Sequence, residues 1–503
     1  MHDKIAVIDF GGQYAHLIAR RIREHGVLAE IHKPDNTIDL GGYKGYILSG
    51  GPGSVYQTSH TSIVACILET GRPVLGICYG HQLLAETLGG HVEKSPNPEF
   101  GPVTLEIHGI HPILEGIPRK LRVWMSHNDA VTHPPPGATV HASTPGSPVA
   151  MFTMGDNIIG VQWHPEVTHT QAGMQLLDNY IKLTKAKRTW TLTNILLEIK
   201  NYIKNHLPPH ATAIAAVSGG IDSSLATYLA QKHSQAKIIP VFIDTGLLPM
   251  GERETALKHL ETIGIHPEII EAENHFLQAL QDKADPEEKR RVTGEIYSQL
   301  LHEKAVEHNA THLIQGTIYP DIIESGASKG ADKIKTHHNV GGLTVTDLHI
   351  VEPLRNLYKD EVRRIAKNQG FPKELIEKKP IPGPGLAVRI EGPITKQKIQ
   401  LLRKADQILR ETIEKHNLHK NLWQYFAILP NTKATGVKGD KRAYGPVIIL
   451  RIVESKDAMT ADIPEIPYPI LREIAHKITS QLPQVTRVLY DITTKPPATI
   501  EWE

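Results

Sequence analysis

Two doubly wound α/β domains with parallel sheets, followed by a small α+β domain with an antiparallel sheet, form the architecture that this 503-residue chain predicts. Apolar strand runs alternate with helical patterns in one series, "KIAVIDF", "GYILSG" and "RPVLGIC", and in a second, "AIAAVSG", "KIIPVFID" and "THLIQG". Such alternation marks parallel strands joined by helical crossovers. Later the pattern changes: "KQKIQLLRKADQILRETIEKH" has apolar residues at helical spacing, followed by strand runs "WQYFAIL", "VIILRIV" and "TRVLYDI" and a helix "ILREIAHKITSQL". The basic stretch "IKLTKAKR" and the proline- and glycine-rich "KKPIPGPGLAVRI" mark the boundaries, so domains are expected at 1–187, 188–380 and 381–503.

Composition narrows the class. With 40% apolar residues and 55 basic against 54 acidic side chains, the chain can bury ample core, and a net charge of +1 gives no global electrostatic ground for nucleic acid or an acidic membrane. Two cysteines twelve positions apart make a poor disulfide framework, the opening "MHDKIAVIDF" enters a strand pattern directly, and no apolar run reaches the ~18 residues of a membrane helix. A soluble cytoplasmic protein is expected, with no nucleic-acid or membrane partner.

The stretch "VLGICYGHQL" places Cys78 between an apolar strand and a helix, with glycines at 76 and 80. This copies the G-x-S-x-G nucleophile elbow with sulfur for oxygen, and the positive end of a helix favours the attacking thiolate. Cys66, inside the helical pattern "SIVACILE", reads as packing. A nucleophilic thiol needs a base and the base an orienter. In "NIIGVQWHPEVTH", His164 and Glu166 are two apart in an extended segment and share a face, with Pro165 keeping His164 out of the helical region. "ILSGGPGSV" ends another strand in a turn that can aim main-chain N–H groups at an oxyanion, with Gly51 and Tyr79 as candidate donors.

G-G-P-G-S, G-I-C-Y-G-H-Q and W-H-P-E, in this order, resemble the class I glutamine amidotransferases over roughly residues 1 to 185. The resemblance implies that Cys78 attacks the side-chain amide of glutamine, that ammonia leaves, and that water releases glutamate from a thioester. It also implies a substrate-holding role for Gln82 and a supporting one for "SHND" at 126 to 129.

Ammonia made in neutral solution protonates, so the second half should hold an activation chemistry. "AIAAVSGGIDSSLATYLAQ" is a strand, a loop from Ser218 to Ser224, and a helix. Gly219 and Gly220 let the main chain approach a phosphate, while Ser223 and Ser224 add donors at the helix start. The loop lacks both the Walker A lysine and G-x-G-x-x-G. Ser218, Gly219, Gly220, Ile221, Asp222, Ser223 and Ser224 resemble the pyrophosphate loop of the N-type ATP pyrophosphatases, which adenylate a substrate oxygen. Anionic Asp222 then acts through Mg²⁺. Asp244, ending the next strand in "FIDTG", is a candidate for ribose or adenine.

The loop alone does not separate enzymes that aminate an adenylated carbonyl, such as glutamine-dependent NAD synthetases, from tRNA-modifying pyrophosphatases. A decayed, non-enzymatic module is opposed by the joint presence of Cys78, His164, Glu166 and Asp222. The remaining motifs, "YPDIIESG", "IKTHHNVGGL", "LYKDEVR", "PGPGLAVRI", "GVKGDKRAY" and "KPPATIEWE", resemble the glutamine-hydrolysing GMP synthases across nearly the whole length. That family adenylates xanthosine 5′-monophosphate (XMP) with ATP and lets ammonia displace AMP. Asp321, Glu324, Lys335, His337 and His338 lie on a polar, glycine-rich stretch that suits a closing lid, and Lys359 and Asp360 match further ATP and Mg²⁺ positions. For XMP the resemblance implies Arg290, Gly383, Pro384, Gly385, Asp440, Arg442, Lys495, Ile500 and Glu501, with Arg442, Lys495 and the main chain near Ile500 converging on the phosphate. It also implies a homodimer assembled through the C-terminal domain. Ile381 stands where members of the family carry an aromatic residue. Because termini fray, deleting the last five residues is expected to remove XMP binding while sparing the fold.

Overall fold

The computed structural model describes residues 2–35, 38–56, 60–324, 348–455 and 460–503, apart from the side chains of Glu324 and Lys438. The chain divides into two compact units, Met1–Ile195 and Leu196–Glu503. The first expected boundary falls close to this division. The expected boundary near residue 380 has no counterpart in it, since buried side chains from Ile214 through Leu386 and Ile390 to Ile448 and Ile478 form one continuous core.

The first unit contains β1 (Lys4–Ile8), α1 (Ala15–Glu24), β2 (Leu28–His32), β3 (Gly45–Leu48), α2 (Thr61–Glu69), β4 (Val74–Ile77), α3 (Tyr79–Thr87), β5 (His91–Ile107), β6 (Lys120–His133), β7 (Thr139–Ser143), β8 (Met151–Met154), β9 (Ile158–Val161) and α4 (Gly173–Thr184). Its nine-stranded sheet runs β2-β1-β3-β4-β9-β8-β7-β5-β6. The expected parallel sheet accounts for β2, β1, β3, β4 and β9; the other half is antiparallel. β3 and β4 are buried at every position, as strands covered on both faces must be.

Helix α5 (Leu192–His206) carries the chain past the division. The second unit continues with β10 (Thr212–Ala216), α6 (Ile221–His233), β11 (Lys237–Asp244), α7 (Glu252–Thr262), β12 (Glu268–Glu271), α8 (Glu273–Leu280), α9 (Pro286–Glu307), β13 (His312–Ile314), α10 (Tyr319–Glu324), β14 (His349–Val351), α11 (Lys359–Asn368) and α12 (Lys373–Ile376). The strands form an all-parallel sheet, β12-β11-β10-β13-β14. The order reverses at β10, and the crevice beyond its carboxyl end is where ligands of such sheets bind.

The rest comprises α13 (Lys396–Lys415), β15 (Gln424–Ile428), β16 (Lys433–Lys438), β17 (Lys441–Val453), α14 (Tyr468–Gln481) and β18 (Arg487–Asp491). β17 pairs antiparallel with β15 and β16, as expected, and takes β18 as a parallel addition. The apolar stripe of α13, Ile399, Leu402, Ala405, Leu409 and Ile413, is buried. Buried Asp406 interrupts it and accepts from the Ala427 N–H at 2.9 Å, fixing β15 to the helix. Among the described residues no helix is long and apolar enough to cross a membrane.

Candidate functional site

In the first unit β4 turns directly into α3, with Cys78 at the helix N-cap at φ 53°, ψ −107°. A non-glycine residue at positive φ is strained and persists only where its surroundings impose it. Here the packing does so. A Cβ at Gly76 would stand 2.5 Å from the Gly80 carbonyl oxygen, and one at Gly80 would stand 2.3 Å from that of Leu48. The Cys78 N–H donates to Val161 O on β9 at 2.9 Å, so the elbow is pinned to the next strand as well.

His164 follows β9, held by its N–H to Trp124 O at 3.0 Å and by Thr170 Oγ1 donating to its carbonyl at 2.6 Å. Its Nδ1 lies 2.7 Å from Glu166 Oε1, and both side chains are buried. Burial alone would push the imidazole down; the Glu166 carboxylate, and then Cys78, outweigh it and hold His164 up at about 10. The base is thus charged at neutral pH, with a carboxylate behind it and the sulfur in front.

The G-G-P-G turn closes over this pair. A Cβ on Gly50 would lie 3.2 Å from His164 Cε1 and 3.7 Å from Cys78 Cβ, and one on Gly51 would lie 3.3 Å from Tyr79 Cδ1. Gly51 thus packs against the Tyr79 ring beside the elbow. Gln82 is buried and donates to Asp129 O at 2.7 Å and to Gln162 Oε1 at 3.2 Å, while Gln162 Nε2 donates to Cys78 Sγ at 3.8 Å. Gln162 escapes a sequence reading because one glutamine before Trp163 has no local signature. Of "SHND", Ser126 offers its carbonyl to the thiol at 3.5 Å, and buried His127 pairs with Glu99 at 3.1 Å.

In the second unit the loop after β10 occupies the topological switch point. Gly219 has φ 72°, and a Cβ there would sit 2.3 Å from that of Ala256, so the loop needs glycine for both reasons. Ser223 Oγ accepts the Ser218 N–H at 3.2 Å, and Gly220 is the N-cap of α6, whose first turn carries Asp222. Ile221 and Ser224 are buried, and Ser224 Oγ has no hydrogen-bond partner among the described residues, so its hydroxyl is an unused donor at the helix start. Lys359 pairs with Asp222 Oδ2, whereas Asp222 Oδ1 is buried without a hydrogen-bond partner. An orphaned carboxylate oxygen beside a glycine-rich turn at a helix start fits a Mg²⁺ ligand. Asp360 adds a second carboxylate in the first turn of α11. Lys378, which the sequence reading did not single out, donates to Gly219 O at 2.9 Å and pairs with Glu252.

Other expected positions fall differently. Asp244 is held by Arg253 at 2.7 Å and by the Gly246 N–H at 3.0 Å, so its carboxylate braces the strand end instead of standing open for a ribose. Asp321 caps α10 by accepting the Ile318 N–H at 2.9 Å, and Glu324 ends that helix. Lys335, His337 and His338 lie outside the described residues.

Around the candidate XMP site, Gly385 has φ 60°, and a Cβ would come within 2.4 Å of Leu247 O, so "PGPG" closes against the loop after β11; Gly383 and Pro384 lead into that turn. Arg389 grips Glu501 through two bonds at 2.9 and 2.7 Å and stacks over Phe426 at 3.9 Å, with Nη1 buried and unpartnered. A cavity of about 110 Å³ opens beside it, lined in part by Lys378, Lys379, Arg389, Arg410, Gln424 and Phe426. Burial, and then Arg363, push Lys379 below its usual range. Glu252 is the one carboxylate among the lining residues and pairs with Lys378, so the recess is cationic on balance; Arg389 links it to Glu501 and Lys378 links it to the Ser218 loop.

Two expectations fail on geometry. Asp440 and Arg442 lie at the exposed β16–β17 turn, and Arg442 is nine residues along β17 from Arg451, the residue that bonds Ile500 O; at strand rise that is roughly 30 Å. Arg442 therefore does not converge with Ile500 within one chain. Nor is the tail frayed. Arg451 donates to Thr493 O and Thr499 O at 2.6 and 2.8 Å, Trp502 to Glu391 at 2.8 Å, and Arg290 to the Glu503 main-chain oxygen at 2.6 Å. Fully buried Lys289 reaches Glu503 Oε2. Lys495 joins the bracing by pairing with Ala461 in an isolated bridge. The anchored tail would not leave without cost to the fold.

Comparison with known proteins identifies the family. The family described as "Glutamine amidotransferase class-I" matches residues 6–183, and "GMP synthase C terminal domain" matches residues 411–502. The GMP synthase (glutamine-hydrolyzing) of Aeropyrum pernix is 54% identical over 505 residues, covering 99% of this chain and 98% of that protein. Those of Pyrobaculum aerophilum and Thermomicrobium roseum are 46% and 44% identical, covering 99% and 100% of this chain and 99% and 97% of their own. Identity of this order along almost the whole of each chain makes this protein a member of the glutamine-hydrolysing GMP synthases, ligases that draw nitrogen from glutamine to make GMP.

Proposed function

We propose that each unit performs one half of the reaction, with the Cys78, His164 and Glu166 constellation on its strained elbow as the observation that carries this reading. Cys78 Sγ attacks the glutamine carboxamide carbon, and Gly51 and Tyr79 N–H groups receive the oxyanion. His164, charged through Glu166, gives its proton to the departing ammonia as the C–N bond breaks. Water then cleaves the thioester to glutamate, with His164 as base.

In the second unit ATP binds at Ser218 to Ser223, the helix start of α6 facing its phosphates. Asp222, with Asp360, would hold Mg²⁺, which when bound screens the phosphate charge. Lys359 orients Asp222, and Lys378 supports the loop at Gly219. The XMP C2 oxygen attacks the α-phosphorus, diphosphate leaves, and ammonia displaces AMP at C2 to give GMP. Arg290, Gly383 to Gly385, Lys495, Ile500, Glu501 and the Arg389 cavity form the acceptor side.

A homodimer is supported by exposed Val437, Tyr444, Leu489 and Ile492 around the β17 sheet. A cytoplasmic setting suits a reaction that requires Cys78 as a free thiol. The test is AMP release from ATP and Mg²⁺ with ammonium, in parallel with XMP, deamido-NAD and no acceptor. AMP and GMP with XMP alone are expected; AMP with another acceptor would overturn the reading.

A further inference from the structure

The amide of Gln162 has its direction dictated by its neighbours. The Asp129 carbonyl can only accept, so the Gln82 group 2.7 Å away must be its NH₂. The same NH₂ lies 3.2 Å from Gln162, which must answer with its oxygen. That leaves the Gln162 NH₂ directed at Cys78 Sγ, 3.8 Å away. His127 Nδ1, 3.0 Å from Asp129 O and held by Glu99, backs the far end of the chain. Gln162 has no exposed surface, so water cannot replace this donor.

The sulfur stands between contacts of opposite preference. The Ser126 carbonyl, 3.5 Å away, can only accept and so favours the neutral thiol. The Gln162 N–H favours the anion. The titratable side chain facing the sulfur is His164, backed by Glu166, and their effect is present whatever stands at 162. We propose that Gln162 is a positioning residue of glutamine hydrolysis: its amide, oriented by Gln82 and the Asp129 carbonyl, donates to Cys78 Sγ and holds the sulfur in its attacking form.

The proposal rests on Cys78 as the nucleophile. It predicts that replacing Gln162 alters the protonation behaviour of one thiol while leaving the second unit untouched. With Cys66→Ser, Cys78 is the remaining thiol of the two, and its alkylation by iodoacetamide can be followed against pH in the full chain. Gln162→Met removes the donor at similar volume; Gln162→Glu places a carboxylate oxygen against the sulfur. The pH of half-maximal alkylation should rise by about one unit in the first and further in the second, as expected for loss of a hydrogen bond to a charged group. Glutamine-driven GMP formation should fall and ammonium-driven formation should stay unchanged. Unshifted profiles in both variants overturn the proposal, as does loss of the native circular dichroism spectrum in Gln162→Met, which would make the role one of holding the fold. Retained glutamine-driven activity in Cys78→Ala would instead overturn the nucleophile assignment itself.

Discussion

Lys289, without exposed surface, reaches Glu503 Oε2 at 2.5 Å and also donates to the Ala387 and Ile390 carbonyls at 3.3 and 2.6 Å. One buried ammonium thus ties α9, the turn after "PGPG" and the C-terminal tail together. Removing Glu503 leaves that charge uncompensated. Glu503→Ala should destabilise the second unit by about 3 to 5 kcal/mol, and Lys289→Met with Glu503→Leu should recover much of it. Denaturant unfolding of the three proteins measures both; equal stability of Glu503→Ala and wild type would show that the tail is not braced through this pair.

The His164 and Glu166 pair makes stability depend on pH. The folded imidazole is held at about 10, above its ordinary value of 6.5. A raised pKa contributes stability that is complete below the unfolded value and is lost as pH rises through the folded one. The first unit should therefore weaken from about pH 6.5 to about 10, and Glu166→Gln should flatten that slope. Thermal melts across this range check it. A slope unchanged by Glu166→Gln would place the dependence elsewhere.

Asp222 and Lys359 pair within the second unit, whereas Cys78 belongs to the first, so the proposed half-reactions can be perturbed separately. Asp222→Asn keeps the shape of the α6 start but removes the charge for which Mg²⁺ would be held at Oδ1. Loss of such a ligand should raise the Mg²⁺ concentration needed for ammonium-driven GMP formation by at least the about 10- to 100-fold that loss of an outer-shell partner costs, with the release of glutamate from glutamine still detectable. A Mg²⁺ titration of AMP release provides the readout. An unchanged Mg²⁺ requirement would remove Asp222 from the metal site.

Legibility in the sequence followed the locality of the constraint. The elbow could be read because Gly76, Cys78 and Gly80 are adjacent, and the base and its orienter because His164 and Glu166 are two residues apart. Gln162 and Lys378 act across the fold and leave no local pattern. The long β5 was missed for another reason: "HVEKSPNPEFGPVTLEI" carries three prolines, which argue against a strand. β5 tolerates them because Pro96 and Pro98 fall where its register with β6 shifts, between Lys94 and Glu99. β7 pairs only with Glu106 and Ile107, so the rest of that edge, Pro102 included, has no ladder bond to lose. The motif around Asp440 and Arg442 was legible only through its resemblance to the family, and no sequence pattern tells which way the hairpin that carries it points.

That direction makes the last prediction. Within one chain Arg442 stands roughly 30 Å from Arg451 and the tail it holds, while Glu501 and Arg389 flank the cationic cavity. Arg389→Ala removes a stacked, buried guanidinium and leaves Glu501 without its partner, so it should raise the KM for XMP strongly while leaving glutamine hydrolysis without acceptor unaffected. Glu501→Gln keeps one hydrogen-bond acceptor for Arg389 and should give a smaller rise. Arg442→Ala should leave the KM for XMP at its wild-type value in enzyme diluted to the monomer. Steady-state kinetics with varied XMP distinguish these outcomes. A KM raised by Arg442→Ala in monomeric enzyme would contradict the placement of the hairpin, whereas a rise confined to assembled enzyme would mean that Arg442 reaches the acceptor site of a second copy.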